Sequence, residues 1–303
     1  MAEKPAFFEQ LIASLAILLA TAIWGLSFVF SKTAFNDLSP FWFLTCRYGL
    51  AALVLLIVAH KKFRLLNRKI FKQAIPVSLA LFVANALQTS SLYRSAVGNT
   101  AFITCTYVVF VPLVAYFFGN KLYRSQMAIT VLTFVGLAIF SYHPGQGFTN
   151  GEYFALASSF VYALHFVLLG KYTRGIDSLL LSFMQILICF VCYIPTALIF
   201  EPLPSLVNFT PSVFTSLTYT AILSTAVAFF LQAAAQKHLS AQQTSVLFTA
   251  ESLFSAFFGW LILNEMFTSR QFLGGTILIC CMIAILVVPN MLNKKMINKE
   301  QSG

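Results

Sequence analysis

From residue 10 to residue 289 the chain is a succession of apolar stretches separated by very short connections. At a rise of 1.5 Å per residue, roughly 20 apolar residues carry a helix across the hydrocarbon core of a bilayer. Ten stretches meet that length: 10–31, 39–59, 74–93, 97–118, 124–142, 152–170, 178–200, 213–235, 241–263 and 269–289. Connections such as RSAVGN (94–99) and KHLSAQ (237–242) leave room only for helical hairpins. Unpaired backbone cannot remain in lipid, and the ten-residue alternation of a transmembrane β-barrel is missing. The expected fold is therefore an all-α polytopic membrane protein with ten transmembrane helices.

Composition excludes the soluble alternatives. Hydrophobic residues make up 59% of the chain and charged residues 9%, against about 25% charged in soluble domains. The net charge of +10 does not imply a nucleic-acid partner, because the basic residues sit in the loops and report topology. The loop 60–72 carries Lys61, Lys62, Arg64, Arg68, Lys69 and Lys72, which makes it cytoplasmic. Ten spans then place both termini in the cytoplasm, with 15 Lys and Arg residues inside and only Lys32, Arg94 and Arg270 outside. The expected location is the cell inner membrane, multi-pass. Ala20-Thr21-Ala22 resembles a signal-peptidase site, but the apolar run continues to Phe30, so the first helix is expected to stay uncleaved.

The two halves repeat each other. At an offset of 138, Leu26, Phe28 and Val29 meet Leu164, Phe166 and Val167; at 144, Gln88, Thr100 and Phe110 meet Gln232, Thr244 and Phe254. The register changes in the longer connection 200–212. Each half holds five helices, an odd number, so the second enters the membrane from the opposite face. Inverted five-helix repeats around a central cavity are a recurrent design of secondary transporters. The expected organisation is 1–147 and 148–290 for the repeats, with 291–303 as a cytoplasmic tail.

Several polar residues lie inside these spans. An ionised carboxylate at mid-bilayer costs several kcal/mol, so Glu251 in LFTAESLFSAFFGWLILNE (247–265) should face the protein interior. It is a candidate for binding an ammonium group or coupling transport to a proton. Its counterpart at offset 144 is Tyr107, also polar-tipped. Arg47 lies well inside the second span, where it can snorkel outward, pair with Glu251 or hold a substrate carboxylate. His165, which replaces Ser27 across the repeat, is a candidate proton relay or interhelical hydrogen bond. Asn85 with Gln88, and Gln232 with Gln236, each share a helical face. Such amides grip zwitterions or glue helices together. Trp24 and Tyr162 correspond across the repeat and offer aromatic walls. Lys121, Asn120, Asn264 and Glu265 sit at helix ends, in capping or topological roles.

The chain resembles the drug/metabolite transporter superfamily, in its EamA-type ten-helix branch. Trp24-Gly25-Leu26-Ser27-Phe28 is similar to the family's first-helix signature, and Arg47 stands where its second helix commonly has an arginine. The segments 88–121, 224–265 and 272–286 resemble the third-to-fourth, eighth-to-ninth and tenth helices of that family. Ser252 follows Glu251 where the family often has proline, which removes the usual cause of a kink, and Lys121 stands where a glutamate is common. The resemblance implies two halves around a central cavity and export of amino acids or related small metabolites. It leaves the substrate open.

Substrate-binding candidates are thus Trp24, Asn85, Gln88, Tyr107, Tyr162, His165, Gln232 and Glu251, with Glu251, His165 and Arg47 for coupling or ion pairing. The partners expected are a small-molecule substrate and membrane lipid, with the oligomeric state, monomer or homodimer, left open. No cofactor is expected, since no G-x-x-x-x-G-K-[ST] sequence occurs. No metal is expected either: Cys189 and Cys192 form a CxxC without a second pair or flanking histidine. Two alternatives remain: uptake of a nucleoside-like or cofactor-like metabolite, and a membrane-embedded enzyme using Glu251 with His165. Without HExxH, GxSxG or Asp-rich sequences, an enzyme is not expected.

Overall fold

The computed structural model describes residues 7–141, 150–263 and 268–301, and every regular element among them is helical. Among the described residues the helices group into ten spans, eight of them long and apolar enough to cross a membrane by length and composition. The ten are α1 (Phe7–Ala34), α2 (Pro40–Ala59), α3 (Arg68–Arg94), α4 (Val97–Cys105 and Tyr107–Phe117), α5 (Arg124–Ser141) and α6 (Asn150–Tyr172). Then follow α7 (Ser178–Phe200), α8 (Pro211–Tyr219, Thr220–Val227 and Ala228–Ala235), α9 (Ala241–Phe248 and Ala250–Leu263) and α10 (Ser269–Gln301). Each expected span falls on one of these helices, with α5 shorter and α9 in two pieces. The junction between the repeats at 147/148, together with Asn264 and Glu265, lies outside the described residues. α10 extends beyond the tenth span into the segment expected as a tail.

Packing repeats across the halves with the partners exchanged. α3 packs against α6 as α8 packs against α1, and α4 against α6 as α9 against α1. The self-related pairs α2–α7 and α5–α10 flank this assembly. Leucines and isoleucines such as Leu15, Leu53, Ile57 and Ile283 cover the outside, more than half exposed, where lipid replaces protein as their partner. Close approach between helices is made by small residues, as expected where no hydrophobic force separates helix from lipid. A Cβ on Gly274 of α10 would stand 2.5 Å from the Phe140 nitrogen of α5.

The α2–α7 pair is clasped at both ends. At one end the Glu201 carboxylate accepts from Ser39 Oγ at 2.7 Å and from the Phe41 and Trp42 amides at 3.0 Å, closing the N-terminus of α2. At the other, Asp177 caps α7 through the Leu179 and Leu180 amides and accepts from Lys62 Nζ at 2.9 Å. Burial opposes ionisation of Asp177, but Lys62 and those two amides outweigh it and hold the carboxyl below its usual value.

Three helices are not continuous. In α4 the break falls at Thr106, whose Oγ1 donates to the Ile103 carbonyl at 2.6 Å. In α9 it falls at Thr249, whose Oγ1 donates to the Val246 carbonyl at 2.7 Å. Both threonines satisfy the carbonyl three residues back and tighten the turn. The breaks stand in corresponding places of the two halves and meet, Ser252 Oγ lying 3.5 Å from Cys105 Sγ. The loss of the usual proline after Glu251 therefore does not straighten α9, because a threonine one turn earlier interrupts it. In α8, residues Thr220–Val227 are π-helical, a wound segment that frees backbone and hydroxyl groups for other partners.

Candidate functional site

The helix breaks face a cavity between the two halves. Its free space is ≈ 50 Å³, smaller than the several hundred Å³ of a pocket that encloses a drug-sized ligand. Gly25 explains how α9 comes so near: a Cβ there would lie 3.0 Å from Phe254 Cβ and from the Ser255 nitrogen. The glycine of the Trp-Gly stretch thus lets α1 lie directly on the second piece of α9, whose first turn carries Glu251.

Trp24, Asn85, Gln88, Tyr107, Tyr162, Gln232, Glu251 and Arg47 all line this cavity. Their polar ends are used unequally. Trp24 Nε1 donates to the Ser224 carbonyl at 2.8 Å, and Tyr162 OH donates to Gln88 Oε1 at 2.9 Å. Each bond joins the first helix of one half to the third helix of the other. Those partners fix the rings and leave their faces to the cavity. In contrast, Asn85 Nδ2, Thr104 Oγ1 and both amide atoms of Gln232 are buried without a partner. Buried polar groups are normally satisfied, so these line the wall as unused donors and acceptors.

Of the two charged residues, Glu251 faces the interior as expected, and Arg47 takes neither of the protein or solvent partners foreseen for it. Arg47 neither snorkels outward nor pairs with Glu251. It is buried, its Nε donating to Thr225 Oγ1 at 2.6 Å and its Nη2 to Ser224 Oγ at 2.9 Å. The π-helical segment of α8 supplies both hydroxyls, an arrangement that periodicity does not reveal. Two neutral hydroxyls hold the guanidinium in place and leave its charge uncompensated. Glu251 is 8% exposed and, among the described residues, has no hydrogen-bond or ion-pair partner. One cavity therefore holds a fixed cation from the first half and a free carboxyl from the second.

His165 is not part of this wall. It is fully buried on α6, with Nε2 3.3 Å from Gln185 Oε1 and its ring behind Phe229. In this structure His165 therefore stands apart from the cavity that Glu251 lines. Gln236 likewise points away, Nε2 donating to the Phe166 carbonyl at 3.0 Å. Sequence reasoning missed Phe166, Phe229 and Phe248, which also line the cavity. They close it as a chain of rings: Tyr107–Phe166 at 5.0 Å, Phe166–Phe248 at 5.1 Å, Phe248–Trp24 at 5.1 Å and Trp24–Phe229 at 5.3 Å. Among 33 phenylalanines, nothing in the apolar pattern distinguishes these three. Among the described residues no cluster of three or more His, Cys, Asp or Glu offers a metal site.

Comparison with known proteins agrees with this architecture. The sequence profile of the EamA-like transporter family matches residues 11–142 and again 149–288. An uncharacterized transporter of Archaeoglobus fulgidus is 27% identical over 278 residues, 91% of this chain and 86% of the relative. The uncharacterized transporter YoaV of Bacillus subtilis is 26% identical, covering 88% of this chain and 94% of its own length. A solved crystal structure superposes with a TM-score of 0.74 at 14% identity, covering 92% of this chain and 98% of that one; it shares the fold.

Proposed function

The chain belongs to the EamA-like transporter family, and from that premise we propose that it exports small zwitterionic metabolites, amino acids or close relatives, across the cytoplasmic membrane. The observation that carries this reading is the unpaired Glu251 and Arg47 in one cavity. A zwitterion brings an ammonium for the carboxylate and a carboxylate for the guanidinium, compensating both charges at once. Arginine matches a carboxylate through parallel N–H donors. The unused groups of Asn85, Thr104 and Gln232 would take further polar atoms, and the ring wall an apolar side chain.

Movement follows from the symmetry of the halves, 1–147 and 148–290. When two related bundles exchange conformations, the cavity between them opens to the other side. The discontinuities at Thr106 and Thr249 are the places where α4 and α9 can bend. The basic loops set the orientation, with both termini cytoplasmic. No step of this cycle requires a cofactor.

A panel of radiolabelled amino acids in proteoliposomes tests the reading. Wild-type protein should move at least one, and Glu251→Gln and Arg47→Gln should each slow it about 10- to 100-fold, the cost of one charge-assisted contact. Unchanged flux in both variants would remove the pair from the mechanism. A nucleoside-like solute, favoured by the free amides beside Trp24 and Tyr162, is the second reading. It prevails if labelled nucleosides move and amino acids do not.

A further inference from the structure

A second chamber of ≈ 530 Å³ opens on the face that carries the basic loops. Its walls come from the α4–α5 turn, the end of α6 and the α8–α9 turn. Lys121, Lys171 and Arg174 line it, and no carboxylate does. Gly119, at φ +85°, turns the chain sharply after α4 and brings Asn120 and Lys121 over the opening. Lys171 is steadied by the Phe118 ring at 5.4 Å from its centroid and by Tyr172 at 5.7 Å. The start of α9, at Ala241 and Gln242, forms another wall and adds the positive end of a helix. The acidic group nearest in sequence is Asp177, three residues beyond Arg174, and it pairs with Lys62 at 2.9 Å; Glu9 meets His238, the neighbour of the lining Leu239, at 3.4 Å.

The chamber lies in line with the central cavity. α4 passes from Tyr107 in the cavity to Pro112 in the chamber, α6 from Phe166 to Gly170, and α9 from Phe248 to Gln242. Between them the same helices carry Val108, Val111, Leu169, Val246 and Leu247, all fully buried. Buried apolar residues thus lie on the helices that line both compartments. Topology alone asks only that cations lie on this side; it does not ask that three of them converge on a concavity aligned with the cavity.

We infer that this chamber is a docking site for an oxyanion, a carboxylate or phosphate group, held by Lys121, Lys171 and Arg174. This deepens the transport reading and rests on it, since the docked group would be that of a solute waiting at the inner face. An anionic lipid headgroup offers the same chemistry from another source.

The test uses the full chain with Gln126→Cys, in nanodiscs of phosphatidylcholine, labelled with matched anionic and cationic thiosulfonates and read at that site by mass spectrometry. The anionic reagent should react about 10-fold faster at low salt, with the preference shrinking as salt rises. Inorganic phosphate or acetate should protect the site, and K121Q/K171Q/R174Q should bring the two rates together. Protection in phosphatidylglycerol nanodiscs without added anion assigns the site to a headgroup; protection only by the added anions assigns it to a solute. Equal rates for the two reagents in the parent Gln126→Cys protein, with no protection, overturn the inference, a result that does not depend on the triple variant folding. Labelling does not depend on flux, so a charged chamber in a protein that moves no amino acid would sink the zwitterion reading and leave the site.

Discussion

The two halves share a backbone plan and differ in what they place on it. Both break their fourth helix at a threonine bonded three residues back, yet the first continues into Tyr107 and the second into Glu251. Where the second half has His165 bonded to Gln185, the first has Ser27 and an Arg47 that reaches across to α8. Where α6 has Ala163, α1 has Gly25, whose missing Cβ admits α9. Repetition supplies a helix break in each half and a cavity lined by both. Departure from repetition places a guanidinium on the cavity from the first half and a carboxyl from the second.

The largest way to break this comparison is to equalise the charges. The pair Glu251→Gln with Arg47→Gln should lose about 100-fold or more in binding of a transported amino acid, with coupling between the two sites through the shared ligand. A double-mutant cycle by isothermal titration in detergent checks this, and purely additive losses would mean that the residues do not grip one molecule. Next in size is Gly25→Val, which forces a side chain into the Phe254–Ser255 contact. It should destabilise the protein by about 1–3 kcal/mol, while Ala163→Val in the other half should cost less; thermal melting of the two variants reads the difference.

Asp177→Asn should cost about 0.5–1 kcal/mol, since asparagine still caps α7 but loses the charge opposite Lys62. Because the Asp177 carboxyl is held below its usual value, its contribution is present above the ordinary aspartate range near pH 4 and is lost as pH falls through the lowered one. Melting from pH 6 to 3 should therefore narrow the gap between wild type and variant. The smallest effect belongs to His165→Asn, which sits behind the cavity wall and should leave flux within about two-fold, the range of a substitution remote from ligand.

Much of the fold was legible because a bilayer allows few solutions. Twenty apolar residues make a helix whether or not their neighbours are known, and odd-numbered halves must invert. Most of the cavity wall was legible for a related reason: Glu251, Arg47 and the amides are costly in lipid, so they turn inward. What the sequence hid was the division of partners among inward-facing groups. His165 is as unwelcome in lipid as Glu251, but a single glutamine one helix away satisfies part of it. Arg47 looks like a partner for Glu251 until the π-helical turn of α8 brings two hydroxyls to it. Phe166, Phe229 and Phe248 carry no signal, since a ring facing a cavity and a ring facing lipid read alike.

The most direct measurement compares three forms of one ligand: a transported amino acid, its N-acetyl derivative and its carboxamide, by thermal shift of the solubilised protein. The free amino acid should stabilise wild type, and each blocked form should lose most of that stabilisation. Glu251→Gln should no longer distinguish the acetylated form, and Arg47→Gln should no longer distinguish the amide. Equal stabilisation by all three forms would contradict a cavity that reads one charge from each half.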